Sequence, residues 1–406
     1  MTEPKVELKD LFRPGTGSEP PYLAGRMEEQ AFFEDRLEKL VQRQNIVSDM
    51  IVYGPRGNGK TAMLRYLQKK KTDDRLETLW LTPSEFEGTG QLIELIDSND
   101  PGLLKRTQKL IRPLFQNLSA SANIGVARAQ ASLNRPKETL ALKDVLRKKC
   151  KKKPFIMIMD EAHTLDPDIG RVLFNASQDI RGEDCPFFLV LAGTPNLESE
   201  LRKADATFWS RSAIFPLGRL SSEEARDALT LPLKQHGIAF DHEAATEVSR
   251  RAHRYPYFIQ VWGDCIAKRL HETGASEVTM DTVREVEKKA ASKCNAMYKD
   301  RYAELREMNL RSPAIRIGQA FSETDEKYIS GVEMENLVGK ALQDEGASPA
   351  NELILDNIRK LSHIGYIWEV SVPSEIEGED PLLCYEPGIP SLMQYVRRQA
   401  MGKFER

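Results

Sequence analysis

Three short runs hold the residues best suited to chemistry. The first, Gly54-Pro55-Arg56-Gly57-Asn58-Gly59-Lys60-Thr61, fits the pattern G-x-x-x-x-G-K-[ST] and stands between the apolar run MIVY and the helix-forming AMLRYLQKK. In that setting the glycines let the backbone wrap a phosphate, so that consecutive N–H groups and a helix N-terminus point at its oxygens. Lys60 adds a mobile positive charge for the β- and γ-phosphates, and Thr61 offers a hydroxyl to Mg2+. The second run, Phe155-Ile156-Met157-Ile158-Met159-Asp160-Glu161, is an apolar strand that delivers two acids at its C-terminal end, where open parallel sheets bind ligands. Asp160 is expected in the Mg2+ shell, and Glu161 is expected to orient or deprotonate the attacking water. The third, FFLVLAGTPN from Phe187 to Asn196, ends in small polar residues. If it lies beside the first strand, Thr194 or Asn196 comes near the γ-phosphate; the other reading is a plain strand-to-helix turn. Arg211, in TFWSRS, reads either as an arginine presented to a neighbouring subunit's nucleotide or as a surface cation.

These residues need a scaffold, and the composition bounds it. At 406 residues, 40% hydrophobic and 29% charged, the chain is too long for one compact core and is expected to form two or three domains. Fifty-eight basic against 61 acidic side chains leave a net charge of −3, which excludes the global positive field of a nucleic-acid coat. No apolar run approaches the roughly 20 residues of a membrane-spanning helix. The opening MTEPKVELKD lacks a signal-peptide layout, so a cytoplasmic location is expected. The five cysteines show no C-x-x-C spacing and read as reduced structural thiols.

The stretch to Pro21 is rich in Pro, Gly and Ser and reads as an extended arm (1–21) rather than a helix or strand. Helical spacing follows from Arg26 to Gln42, then strand runs at Met50–Tyr53, Thr78–Leu81, Phe155–Met159, Phe187–Leu191 and Ala213–Leu217, mostly separated by helices. That alternation predicts an α/β fold: a parallel sheet covered on both faces, over residues 22–220. Within it, SASANIGVARAQASL alternates small and polar residues and reads as a hairpin in an insertion at 85–150. From 221 to 310 the pattern is helical, opened by the capping-box spacing Ser221 to Glu224, and reads as a separate all-helical unit. Residues 311–406 show three helices and then two strand runs around the loop SEIEGED, a winged-helix pattern. DEAH at 160–163 invites a helicase reading, but no second strand-and-helix set follows Leu220 to supply the other nucleotide-binding domain such enzymes need.

Taken together, YLAGRMEEQ, GPRGNGKT, IMIMDEAH, LVLAGTPNLESEL, SRSAIFPLGRLSSEEA and RYPYFIQVWGD resemble the AAA+ ATPases. The resemblance is to the group that holds the origin-recognition loaders, the transposition-regulator ATPases and the signal-transduction ATPases. It is closer still to bacterial AAA-family ATP-binding proteins ending in a winged helix. It implies a P-loop core, a helical lid, ATP and Mg2+ as cofactors, and a role for Leu23–Arg26, with Gly25 and Arg26, beside the adenine. It makes Thr194 the first sensor and Arg211 the candidate trans-acting arginine. Arg254 stands where many relatives have glycine, and is either a second sensor or a cap on the preceding helix. The activity implied is a slow, assembly-stimulated ATPase that switches conformation and joins with itself, as a homo-oligomer in the ATP state, or with a protein partner.

The rival expectation is a DNA-binding loader or transposition regulator. Residues 311–406 hold ten Lys and Arg against sixteen Asp and Glu, which disfavours phosphate contact by the winged helix. The one dense basic run, Arg147 to Lys153, reads as a solvated helix end or as a nucleic-acid contact.

Overall fold

The computed structural model describes residues 7–15, 17–71, 74–98, 124–323, 328–372 and 382–400. Five strands, β1 (Met50–Tyr53), β2 (Glu77–Leu81), β3 (Phe155–Met159), β4 (Phe187–Gly193) and β5 (Ala213–Pro216), form a sheet in the order β2-β3-β4-β1-β5. All pairings are parallel: Tyr53 lies opposite Gly193 and Pro216, and Met159 opposite Leu81 and Leu191. The register therefore brings the C-terminal ends of β1, β3 and β4, each followed by one of the three chemical runs, to a single edge. β3 and β4 are buried along their whole length, as strands covered on both faces must be.

The covering helices of this half are α1 (Met27–Val41), α2 (Lys60–Lys71), α3 (Thr89–Asp97), α4 (Ile124–Lys152), α5 (Pro167–Arg181), α6 (Leu197–Ala204) and α7 (Phe208–Arg211). Side chains alternate along the strands, so the sheet divides its core in two. Ile156, Ile158, Phe188 and Val190 pack with Phe33 and Leu37 of α1 and Leu64 and Leu67 of α2. Met157, Met159, Leu189 and Leu191 pack with Ile169 and Phe174 of α5. The hairpin reading is overturned: residues 124–133 belong to α4, and 119–123 lie outside the described residues. Small residues alternating with polar ones satisfy a helix as well as a strand, and alanine favours the helix.

Beyond β5 come α8 (Ser222–Gln235), β6 (Ala239–Phe240), α9 (His242–Arg251), α10 (Pro256–Thr273), β7 (Glu277–Val278) and α11 (Met280–Glu307). The capping box that opens α8 is present in both directions, with Ser221 N–H donating to Glu224 Oε2 at 2.7 Å. The chain continues as α12 (Arg311–Glu323), β8 (Ile329–Ser330), α13 (Gly331–Asp344), α14 (Asn351–Ile364), β9 (Ile367–Val372), β10 (Leu382–Pro387) and α15 (Leu392–Ala400). β10 pairs antiparallel with both β9 and β8; the loop SEIEGED between β9 and β10 lies outside the described residues.

The helical stretch after β5 packs directly against the C-terminal region. Leu229 and Phe258 share one core with Ile317, Leu361 and Ile367 of the C-terminal region, because α11 contributes Val286 and Leu305 to both. Leu11 and Phe12 of the N-terminal arm are buried in that same core, and Leu8–Asp10 makes a single 3-10 turn where only extended chain was expected. All five cysteines are free, four of them buried. Among the described residues no helix is long and apolar enough to cross a membrane.

Candidate nucleotide site

β1 ends at Tyr53 and α2 begins at Lys60, so the chain must turn within six residues. Gly57 and Gly59 take φ of +89° and +82° to do it. At Gly57 a side chain would also collide, since a Cβ there would stand 2.8 Å from the Tyr255 ring. The turn is held from both neighbours. Asn58 Nδ2 donates to the Leu217 carbonyl at 2.7 Å, Tyr257 N–H donates to the Gly57 carbonyl at 3.1 Å, and the Tyr255 hydroxyl donates to the Arg56 carbonyl. Tertiary contacts thus set the shape of the loop whose N–H groups stand at the head of α2.

Lys60 is buried, and its Nζ donates to the carbonyls of Gly54 at 2.6 Å and Pro55 at 2.9 Å. Burial pushes its ammonium down to about 8, a shift opposed by the nearby Glu161 and Asp160. Thr61 Oγ1 donates to Asp160 Oδ2 at 2.6 Å, and Asp160 Oδ1 accepts the Glu161 N–H at 3.0 Å. Glu161 follows in a left-handed conformation, φ +54°, rare for a residue with a side chain. Its Oε2 lies 3.4 Å from His163 Nε2. His163 Nδ1 accepts from Thr194 N–H at 3.4 Å, while Thr194 Oγ1 lies 2.5 Å from Asn196 Oδ1 and 3.1 Å from Nδ1 of His363 in α14. Burial pushes His163 down to about 3 and His363 to about 4, so both rings are neutral near pH 7.

Lys60, Thr61 and Glu161 border a cavity of about 510 Å³, a size suited to a nucleotide-scale ligand. Residues 56–63 form its floor; Arg13 and the segment 17–24 of the arm, with Arg26, form one wall; Ala228, Pro256, Ile259, Met297 and Arg301 form the opposite one, and Glu161 stands at the edge. A hydroxyl and a carboxylate 2.6 Å apart are a donor pair that suits Mg2+. Among the described residues no cluster of three His, Cys, Asp or Glu offers an all-protein metal cage. That combination fits a cation held by one carboxylate, one hydroxyl and the oxygens of a bound phosphate.

Several expected residues sit differently. Gly54 and Pro55 do not border the cavity; their carbonyls anchor Lys60. Gly25 accepts from Gln30 Nε2 at 2.7 Å, and Arg26, which does border the cavity, spends Nη2 on the Gly218 carbonyl at 2.6 Å. Thr194 stands behind Glu161 and reaches it through His163. Arg211 pairs with Asp205 Oδ2 at 3.0 Å in a separate surface depression beside Asp49 and Phe208. Arg254 is exposed, with φ +56°, and its N–H and carbonyl bond Ser249 and Leu220 at the end of α9, which supports the capping reading. One cavity residue had no local signal: Arg301 of α11, with its side chain 13% exposed, binds Glu304 through Nη1 at 2.7 Å while its buried Nε has no acceptor among the described residues. It sits in a charged helix that reads as a connector, and only folding turns it toward the cavity.

Residues 22–181 match the family model described as the AAA ATPase domain, and the fold is a P-loop AAA+ fold. Among solved structures, a Walker-type ATPase of Pyrococcus abyssi aligns with a TM-score of 0.57 at 15% identity, over 96% of this chain and 99% of that one. The ORC2 protein of Aeropyrum pernix, solved in ADPNP–ADP complexes, aligns with a TM-score of 0.56 at 12% identity, over 97% of this chain and 100% of that one. At such identities the likeness is one of fold. No curated protein sequence matches the chain.

Proposed function

We propose that the chain binds Mg2+-ATP in the cavity between the P-loop, the arm and the lid, hydrolyses it slowly, and uses the cycle to change conformation and to assemble with itself or a protein partner. The observation that carries this reading is the convergence of Lys60, Thr61 and Glu161 on one cavity of a P-loop fold, with Asp160 bonded to Thr61 at 2.6 Å. In it, residues 56–61 cradle the phosphates and Lys60 exchanges its two carbonyl partners, Gly54 and Pro55, for phosphate oxygens. Thr61 and Asp160 hold Mg2+, which when bound offsets the phosphate charge. Glu161 orients a water and takes its proton as the oxygen attacks the γ-phosphorus and ADP leaves. Arg26 and Leu23 flank the base, Thr194 supports the hydrolytic side, and Arg211 acts across a subunit boundary. Arm, core, lid and C-terminal region are read as the parts that move relative to one another.

Calorimetry with ATP and Mg2+, paired with steady-state hydrolysis by Glu161→Gln, tests the assignment. The expected result is retained affinity with turnover lost. Hydrolysis at the wild-type rate by Glu161→Gln, or no heat from millimolar ATP on folded protein, overturns it.

A further inference from the structure

Behind Glu161 runs a set of contacts that the roles above leave unused. Asn196 Oδ1 is an acceptor only, so the Thr194 hydroxyl 2.5 Å away donates its proton there. With that proton committed, Thr194 Oγ1 can only accept from His363 at 3.1 Å, which puts the His363 proton on Nδ1. The backbone N–H of Thr194 donates to His163 Nδ1, so the single proton of that neutral ring belongs on Nε2, the nitrogen 3.4 Å from Glu161 Oε2. The His163 and His363 rings also pack at 5.2 Å between centroids.

The need for such a set follows from exposure. The Glu161 side chain is 45% exposed and free to sample rotamers, whereas that of His163 is 3% exposed and fixed. We infer that His163 is a positioning residue that aims the Glu161 carboxylate from behind, and that Thr194 and His363 hold its tautomer and place. His363 arrives from the last turn of α14, so the C-terminal region supplies part of the wall behind the base. Its docking there is reinforced by Trp368 stacked on Tyr53 at 6.0 Å and by Arg219 donating to the Pro387 and Gly388 carbonyls at 3.1 and 3.3 Å. This inference rests on the reading of Glu161 as base.

The test uses the full chain. His163→Leu is expected to lower kcat by at least about tenfold, the scale of losing alignment of a reacting group, with KM and calorimetric affinity for ATP unchanged. His163→Gln, whose amide can donate to Glu161, recovers most of that loss, and His363→Ala shows a smaller fall of the same kind. Placed on Glu161→Gln, His163→Leu adds no further loss. Ring-nitrogen NMR of the wild type should show an Nε2–H tautomer for His163 and an Nδ1–H tautomer for His363. Full kcat in His163→Leu, or an Nδ1–H tautomer for His163, overturns the inference; if His163→Leu does not fold, the tautomer and His163→Gln decide. An inactive Glu161→Gln beside a fully active His163→Leu sinks this inference alone, whereas an active Glu161→Gln sinks the reading beneath it.

Discussion

Lys60 joins two demands that oppose each other. A buried ammonium loses hydration, which lowers its pKa to about 8, yet phosphate binding requires the charged form. Below that pH the side chain is protonated and ready for an anion; above it the charge is lost. Affinity for ATP is therefore expected to fall as pH rises through about 8, and binding near that pH should take up a proton, because phosphate favours the ammonium. Calorimetry in buffers of different ionisation enthalpy reads both effects. Lys60→Ala should weaken ATP binding by at least about tenfold, in line with loss of a charged hydrogen bond.

At the scale of elements, α10 is shaped by the arm it receives. A Cβ at Gly263 would lie 2.5 Å from the Phe12 ring, and Phe12 is buried in the core that α10 shares with the C-terminal region. Two effects of Gly263→Ala oppose each other: helix propensity gains about 1 kcal/mol, while the collision costs about 1 to 3 kcal/mol. The variant is expected to be less stable than wild type in chemical denaturation. Phe12→Ala alone should cost about 3 kcal/mol. In the Phe12→Ala background the collision is gone, so Gly263→Ala should stabilise; equal effects in both backgrounds would disprove the packing account. The basic end of α4 is an element with a local purpose as well. Lys149 is buried against Glu77 at 2.7 Å, Arg147 binds Glu183, and Lys153 donates to the Asp74 carbonyl at 2.9 Å. Three of the run's basic side chains are thus engaged within the protein, Lys149 in its interior, while Lys148, Lys151 and Lys152 stay exposed.

For the molecule as a whole, the proposed trans-acting role of Arg211 ties turnover to assembly. It stands away from its own chain's cavity and half exposed, paired with Asp205. Specific activity should then rise with protein concentration, and Arg211→Ala should abolish the rise while leaving ATP affinity intact; an arginine acting in trans contributes roughly 10³ to 10⁵ in rate. A specific activity flat across concentration would return Arg211 to the role of a surface cation. Retention on duplex DNA is expected to be weak at moderate salt, given the acidic balance of residues 311–406.

The phosphate loop, the acid pair and the five core strands were legible in the sequence because each depends on local physics. Glycine at a turn, an unbroken apolar run and a capping box act over a few residues, so neighbours in the chain report them. The alternation around Ala129 misled for the same reason: local pattern alone cannot separate an alanine-rich helix from a strand. What folding decided was contact between distant segments. Arg301 in the cavity wall, Phe12 against α10 and His363 behind Thr194, 169 residues away in the chain, depend on how helices pack on one another, and packing is set by shape and burial across the whole molecule.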